Sequence, residues 1–289
     1  MEPLPQKKVF GIYPSPVCKT YGVVIKFSEH NEVHFEAEVS WLKEPSTGSF
    51  QFLINKQQVY CNGKAPDKTV DKLADDMGKI LYPLVVMTNE KGIITGIGNS
   101  QEIALRWQEQ KEKIRQRYEG EIVDQAIDAM DRITRNSNQL IETIKKDWFL
   151  ALLFSGIYGL KPKDSTELNA FMVPVIPYGP LTAYQVSRIV TERNTAIHCL
   201  TVVCSGEPAT IKGKIKPEGS LAVTYKLYHQ DFTIRSVNGQ STLILPGGKQ
   251  AVTIFEVFHL SAKDRPVLTA QDKEPAAAQK KKSFWNIFN

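Results

Sequence analysis

The sequence has no apolar run long enough to cross a membrane as a helix. Its longest such run, residues 148–160, has 13 residues and includes Ser155, Gly156 and Gly159, whereas a spanning helix needs about 20 apolar residues. The first ten residues, MEPLPQKKVF, also lack the apolar core of a signal peptide. We therefore expect a cytoplasmic protein in which residues 148–158 form a buried helix, with Ser155 inert inside it.

Cysteine is scarce, and no two of the four cysteines form a CxxC pair. Cys199 and Cys204 lie five apart in a predicted strand, so they should face opposite sides of the sheet, which does not suit a shared metal. A row of possible metal ligands does alternate along one predicted strand, at Glu32, His34, Glu36 and Glu38. Period-two spacing gives this pattern to the solvated face of any half-buried strand. We expect reduced cysteines and no metal site.

Common catalytic motifs are also absent. The sequence contains no nucleophile elbow, P-loop, HExxH helix or EF-hand loop. The stretch TGIGNS, residues 95–100, puts two glycines between a predicted strand and a predicted helix, but Gln101 stands where a dinucleotide fingerprint requires its third glycine. We expect no cofactor and lean against an enzyme. An unrecognised hydrolase stays open, because the members of a triad can be scattered along a sequence.

Positive charge is concentrated near the end of the sequence. The formal net charge is +5, and the segment 261–289 alone holds five Lys and one Arg against three acids. The rest of the chain is therefore close to neutral. Proteins that bind nucleic acid usually carry a strongly basic surface on their folded domain. We therefore do not expect nucleic-acid binding.

The order of the predicted elements indicates an α+β fold. Strands are expected over 21–60 and 81–97, helices over 99–158, and strands again over 168–260. Separate runs of strands and helices favour antiparallel sheet packed on a central helical segment rather than a parallel sheet. We therefore predict an extended, proline-containing arm over 1–20 and a single body over 21–260. Whether the strands form one sheet or two, and whether the protein forms oligomers, stay open.

Several local predictions follow from spacing and turn chemistry. Alternation over 32–42 predicts a strand with Val33, Phe35, Ala37, Val39 and Trp41 on its buried face. Asn99 and Glu102 resemble a capping box at a helix start. A second helix is predicted from an apolar stripe of Ile122, Ala126, Met130, Ile133, Leu140, Ile144 and Trp148. Turns are expected at residues 205–208, 217–219, 238–239 and 246–248, and a separate strand at 210–216, because Asn-Gly, Pro and Gly typically end strands.

Large aromatic residues on the predicted helices raise a second possibility. Trp107, Trp148 and Phe149 would line a ligand cavity if a curved sheet enclosed space against the helices. A curved antiparallel sheet with helices across it can either pack solid or enclose an apolar pocket. The alternative function is therefore a carrier or sensor of a hydrophobic small molecule held between sheet and helices.

The C-terminal segment has a composition unlike the rest of the chain. Residues 261–282 are rich in Ala, Gln, Lys, Asp and Pro, which predicts a disordered linker. It leads into a peptide over 283–289 whose apolar residues are Phe284, Trp285, Ile287 and Phe288, preceded directly by Lys280, Lys281 and Lys282. This peptide could fold back on its own body, contact an anionic membrane surface or dock on a partner. We favour the last, and with it a structural or adaptor protein of a larger assembly.

Overall fold

The computed structural model describes residues 18–28, 31–43, 49–157, 169–175, 179–194, 199–209, 217–245 and 247–261. The predicted linker, the docking peptide, most of the N-terminal arm and the predicted strand at 210–216 lie outside these residues. The chain divides into two compact units, Met1–His259 and Leu260–Asn289. The fold described below is that of the first unit.

Eleven strands lie in the described part of the chain. Their bounds are β1 (Cys18–Ser28), β2 (Asn31–Lys43), β3 (Phe50–Cys61), β4 (Leu84–Thr88), β5 (Ile94–Ile97), β6 (Asn169–Val173), β7 (Thr182–Asn194), β8 (Cys199–Pro208), β9 (Gly219–Tyr228), β10 (Ile234–Ile244) and β11 (Gln250–Leu260). They form one mostly antiparallel sheet in the order β5-β4-β3-β2-β1-β11-β10-β9-β8-β7-β6. The first and last strands thus lie side by side at its centre.

Five helices lie within the described residues, and all of them fall between β3 and β6. They are α1 (Thr69–Lys79), α2 (Ser100–Arg117), α3 (Glu121–Arg135), α4 (Ser137–Ile144) and α5 (Trp148–Leu153). The protein is therefore α+β and dominated by sheet. No helix among these is both long enough and apolar enough to cross a membrane.

The alternation predicted for β2 is confirmed from Phe35 to Trp41, whereas Val33, also placed on the buried face, is half-buried. Phe35, Ala37, Val39 and Trp41 are all buried, while residues on the opposite face are half-buried. Successive side chains of a strand point to opposite faces of the sheet. One face of this strand therefore packs in the core, and the other face is partly exposed.

Two hydrophobic clusters fill the interior. The larger cluster joins the buried face of the sheet to α4, α5 and the start of α2. The smaller cluster lies among α1, α2 and α3, and its members are Leu73, Ile80, Trp107, Ile114, Tyr118, Val123, Ile127 and Met130. The first three helices therefore have a core of their own, distinct from the core that the sheet covers.

The short helix α5 packs on the buried face of the sheet and is held at both ends. Asp147 caps its first turn by accepting a hydrogen bond from the Leu150 amide, and Lys56 lies 3.5 Å from the same carboxylate. At the other end, the buried Arg188 guanidinium donates to the carbonyl oxygens of Ser155 and Gly156. Strands β3 and β7 thus fix the two ends of this segment, β3 through Lys56 and β7 through Arg188.

The predicted continuous helices are wrong in three places. Asn136 interrupts the expected stripe because its side chain accepts hydrogen bonds from the amides of Asn138 and Gln139 and so begins α4. The helix expected over 148–158 ends at Leu153, and Gly156 follows with a left-handed φ of 71° that a helix cannot contain. Ile122, placed on the buried stripe, is 67% exposed.

The predicted capping box at Asn99 is also wrong. Asn99 does precede α2, but its side chain makes no capping hydrogen bond. Instead its amide oxygen accepts from the Val85 amide, and its amide nitrogen donates to the Pro83 carbonyl. The residue therefore ties the start of α2 to the chain entering β4.

Two predicted turns lie inside strands. Residues 205–208 belong to β8, and Asn238-Gly239 lies in the middle of β10, where Gly239 pairs with Val223 on one side and Phe255 on the other. The glycine is needed for space rather than for a turn. A Cβ atom there would lie 2.2 Å from the Ala222 carbonyl oxygen and 2.8 Å from the Phe255 ring.

Candidate functional site

The residues predicted for partner binding lie outside the described part of the chain. These residues are Phe284, Trp285, Ile287, Phe288, Lys280, Lys281 and Lys282. Their role stays a prediction.

The three aromatic residues predicted to line a ligand cavity are divided between the two hydrophobic clusters. Trp107 is fully buried in the smaller cluster, and its indole N–H donates to Asp131 at 2.6 Å. Trp148 and Phe149 belong to the larger cluster. The Trp148 ring stacks on Phe255 at 5.0 Å between centroids, and Phe149 meets the Phe35 ring edge-on at 6.0 Å.

The space beside Phe149 is narrow. A gap lies between α5 and the sheet, lined by Tyr21, Phe149, Leu152, Leu153, Ile234, Val237 and Val257, and it admits no water-sized sphere. Protein interiors pack as densely as organic crystals and commonly retain such small gaps. At this point, α5 covers the buried face of the sheet with its own side chains.

A larger cleft lies between α1 and α2. Its volume is about 310 Å³, and it is open to solvent along one side. Four cationic side chains line it, together with one carboxylate: Lys79, Arg106, Lys113, Arg117 and Asp76. The buried side chains of Ile80 and Ile114 form an apolar floor. This cleft combines an apolar base with positively charged walls, a feature that the sequence analysis did not predict.

Helix periodicity explains why the cations of α2 meet in this cleft. Positions 106, 110, 113, 114 and 117 recur every three or four residues, which places them on one face of the helix. Ile114 on that face packs into the smaller hydrophobic cluster and so fixes which way the face points. The sequence alone shows that these positions share a helix face. It does not show that α1 forms the opposite wall of the cleft.

Two of the cations are neutralised by α1. The Arg117 guanidinium donates to Asp76 at 2.6 Å, and the Tyr118 hydroxyl donates to the same carboxylate oxygen at 2.9 Å. Lys79 lies 2.5 Å from Asp75 and 4.0 Å from Asp76. Burial, followed by the hydrogen bond to Asp76, raises the pKa of Tyr118 above its ordinary value, so this hydroxyl keeps its proton and acts as a donor.

The other two cations have no ion-pair partner among the described residues. Arg106 donates to the Pro83 carbonyl at 3.0 Å, but its Nε atom is buried with no hydrogen-bond partner in the described chain. Burial lowers the pKa of Arg106, an effect that the nearby Glu102 opposes. Lys113 is exposed. Arg106 and Lys113 therefore carry positive charge that no ion pair within the described part of the chain neutralises.

A second polar cluster lies where β1 approaches the β9–β10 connection. The Lys19 ammonium donates to Asp231 at 3.2 Å and to the Thr233 hydroxyl, and it lies 4.2 Å from the centroid of the Tyr228 ring. Burial lowers the pKa of Lys19, and the Asp231 carboxylate opposes that effect. An anion, a hydroxyl and an aromatic face around one ammonium are what a buried cation needs to be stable. We interpret this cluster as a structural tie.

No metal-binding arrangement of three or more His, Cys, Asp or Glu side chains occurs among the described residues. All four cysteines are free thiols. Burial raises the pKa of Cys204 to about 11, although Arg188 opposes the shift. This thiol is therefore protonated at neutral pH and is a poor nucleophile.

Comparison with known proteins finds no protein-family model that matches the chain and no curated protein that resembles it in sequence.

The carboxylate that joins α2 to α3 gives the protein a specific pH dependence. Burial would raise the pKa of Asp131, but hydrogen bonds from Lys111 and Trp107 hold it below the ordinary 3.8. A lowered folded-state pKa stabilises the fold above the unfolded pKa, and this contribution is lost as pH falls through the folded value. We expect the melting temperature to drop between about pH 5 and pH 2, and to drop less steeply in Asp131→Asn.

The control for this experiment is Asp128→Asn, an exposed position on the same helix. Thermal melts followed by circular dichroism across the acid range give the slopes. Equal slopes for wild type and Asp131→Asn would show that the hydrogen bonds to Asp131 add no stability.

Proposed function

We propose that this protein is a non-enzymatic adaptor or structural component of a multi-component assembly. It docks a partner through the peptide at 283–289, with the folded unit serving as a platform. The observation that carries the proposal is the concentration of Phe284, Trp285, Ile287 and Phe288 within the last six residues of the sequence, directly after Lys280, Lys281 and Lys282. Aromatic side chains supply much of the binding energy at protein interfaces, because each buries a large area at little entropic cost.

The composition of the segment before the peptide suits a tether. Residues 261–282 contain little that could form a core, and a flexible chain of that length has a root-mean-square span of about 25 Å. A tethered peptide of modest affinity gains from its raised local concentration, most of all where several copies of the protein are assembled together. A span of this size reaches a neighbouring subunit.

The packing of α5 supports a platform rather than a carrier. Trp148 and Phe149 are buried against the sheet, and the gap beside Phe149 admits no water molecule. A carrier of hydrophobic molecules needs a cavity of about 300 Å³ or more. The carrier alternative would require α5 to leave the sheet, and α5 is tied to β3 by the Lys56–Asp147 ion pair and, just after its last residue, to β7 by Arg188.

Deleting residues 283–289 tests the proposal. We expect an unchanged melting temperature, unchanged flotation with liposomes, and loss of the proteins that co-purify with the wild type from the native organism. The reason is that the aromatic anchors leave with the peptide while the sheet unit keeps its core. Native mass spectrometry of each preparation also reports any bound lipid.

A matched pair of variants separates the aromatic residues from mere length. One replaces Phe284, Trp285 and Phe288 by Ser, and its control replaces Asn286 and Asn289 by Ser. Loss of partners in the first alone supports the proposal, and an unchanged partner list rejects it. A lower melting temperature would instead mean that the peptide docks on its own body, and lost flotation would mean that it contacts lipid.

A further inference from the structure

We infer that the cleft between α1 and α2 binds an acidic peptide segment. This proposal rests on the charge, shape and floor of the cleft and not on the C-terminal peptide. Its test is therefore independent of the test of the adaptor proposal.

The first argument is charge complementarity. Arg106 and Lys113 form no ion pair among the described residues, although Glu102 lies near enough to Arg106 to raise its pKa, and Arg106 is anchored by its bond to the Pro83 carbonyl. Asn99 donates to the same carbonyl at 2.8 Å, which fixes it in place. An arginine held in advance loses less entropy when it forms a hydrogen-bonded pair with a carboxylate. The cleft thus presents a prepared site for an anion.

The second argument is shape. The cations of α2 run from position 106 to position 117, which at 1.5 Å per residue is about 16 Å along the helix. A single phosphate group cannot reach both Arg106 and Lys113, the two cations of this row without an ion pair, because they lie about 10 Å apart along α2. An extended peptide advances about 3.3 Å per residue, so about five residues span the whole row. The length of the cleft therefore favours a chain over a compact anion.

The third argument is the apolar floor. Ile80 and Ile114 lie at the base of the cleft between the charged walls. A peptide that alternates acidic and apolar residues places its carboxylates against the walls and its apolar side chains on this floor. Gln110, which also lines the cleft, offers an amide that can both donate to and accept from a peptide backbone. Polyphosphate matches the walls but not the floor.

Fluorescence anisotropy with the full-length protein tests this directly. The probe is a fluorescein-labelled peptide of alternating Glu and Leu, about eight residues long so that it covers the cleft. Its control has Gln in place of every Glu. We expect the Glu peptide to bind and the Gln peptide to bind at least about tenfold more weakly, with the Glu peptide losing affinity as salt is added.

Two variants of opposite expected effect locate the binding. Lys113→Glu reverses an exposed charge in the cleft, and we expect about tenfold weaker binding. Asp76→Asn removes the one carboxylate that lines the cleft, and we expect binding several-fold tighter than wild type. The control is Lys91→Glu, the same charge change at an exposed position in the β4–β5 turn. Circular dichroism establishes that each variant is folded.

The outcomes separate clearly. Weaker binding by Lys113→Glu but not by Lys91→Glu, with tighter binding by Asp76→Asn, supports the cleft. Equal losses in the two lysine variants would overturn the proposal, since they would report only net charge. Equal binding of the Glu and Gln peptides would overturn it too. If tripolyphosphate binds more tightly than the peptide and depends on Lys113, the cleft is a phosphate site and the peptide assignment is wrong.

Discussion

Trp148→Asp is expected to leave the protein unfolded or aggregated. Trp148 is 3% exposed, lies in the larger hydrophobic cluster and stacks on Phe255. Removing a buried tryptophan costs about 3–5 kcal/mol through lost contacts and the cavity left behind. An unpaired carboxylate at the same place adds several kcal/mol more. The sum reaches the whole stability of a typical domain, about 5–15 kcal/mol.

One effect opposes this loss. Trp148 is the first residue of α5, and an acidic side chain in a first helical turn stabilises a helix by about 0.3–1 kcal/mol. That gain is far too small to offset burial of the charge. Soluble yield and far-ultraviolet circular dichroism check the result, and a soluble Trp148→Asp protein with the wild-type spectrum would contradict it.

Trp148→Phe is the matched control. The indole Nε1 is buried and has no hydrogen-bond partner among the described residues. Phenylalanine keeps an aromatic ring against Phe255 and removes that unpaired N–H, whose burial costs about 1–3 kcal/mol. Removing the unpaired N–H stabilises the fold, whereas the smaller ring makes fewer contacts and destabilises it. Because these two effects oppose each other, we expect a folded protein with a melting temperature near that of wild type. A contrast between the two variants assigns the damage to the lost aromatic ring and the buried charge together, and not to the loss of the indole itself.

Period-two and helical spacing carried much of the fold prediction. The buried face of β2 followed from the sequence because each alternate residue is apolar from Val33 to Trp41. The order of strands, helices and strands likewise led to an α+β fold. These features depend on neighbours in the chain, which is why a single sequence reveals them.

The errors arose where distant residues decide the local structure. Asn238-Gly239 has the chemistry of a tight turn, but its glycine instead makes room for the Phe255 ring and the Ala222 carbonyl of the flanking strands. Asn99 has the chemistry of a helix cap, but Pro83 and Val85 occupy its side chain. A local pattern is ambiguous when the competing partner lies on another element.

Other errors were avoidable. Asn136 and Asp147 are residue types that begin helices, and both interrupt the apolar stripe that we took for one helix. The structure shows each capping a new helix. The cleft between α1 and α2 could be predicted only in part from the sequence. Spacing alone shows that the cations of α2 share a face, but it does not show that α1 packs opposite them.

The remaining large effect is expected from Gly239→Ala in β10. The added Cβ would lie 2.2 Å from the Ala222 carbonyl oxygen of β9 and 2.8 Å from the Phe255 ring of β11. The first contact is with backbone, so no side-chain rotation relieves it, and the strands must separate. Overpacking of a core costs about 1–3 kcal/mol and occasionally more. We expect a loss of at least about 3 kcal/mol in the free energy of unfolding, at the upper end of this range.

The same substitution, glycine to alanine, should raise the free energy of unfolding at Gly78. That residue lies in α1, its φ is not left-handed, and a Cβ there would meet no atom within 4 Å. Alanine in a helix is favoured over glycine by about 0.5–1 kcal/mol because it loses less backbone entropy on folding. Urea denaturation of the three proteins, monitored by tryptophan fluorescence, gives the midpoints. We expect the midpoint to fall for Gly239→Ala and to rise for Gly78→Ala; an unchanged midpoint for Gly239→Ala would mean that β9 and β10 do not pair through this register.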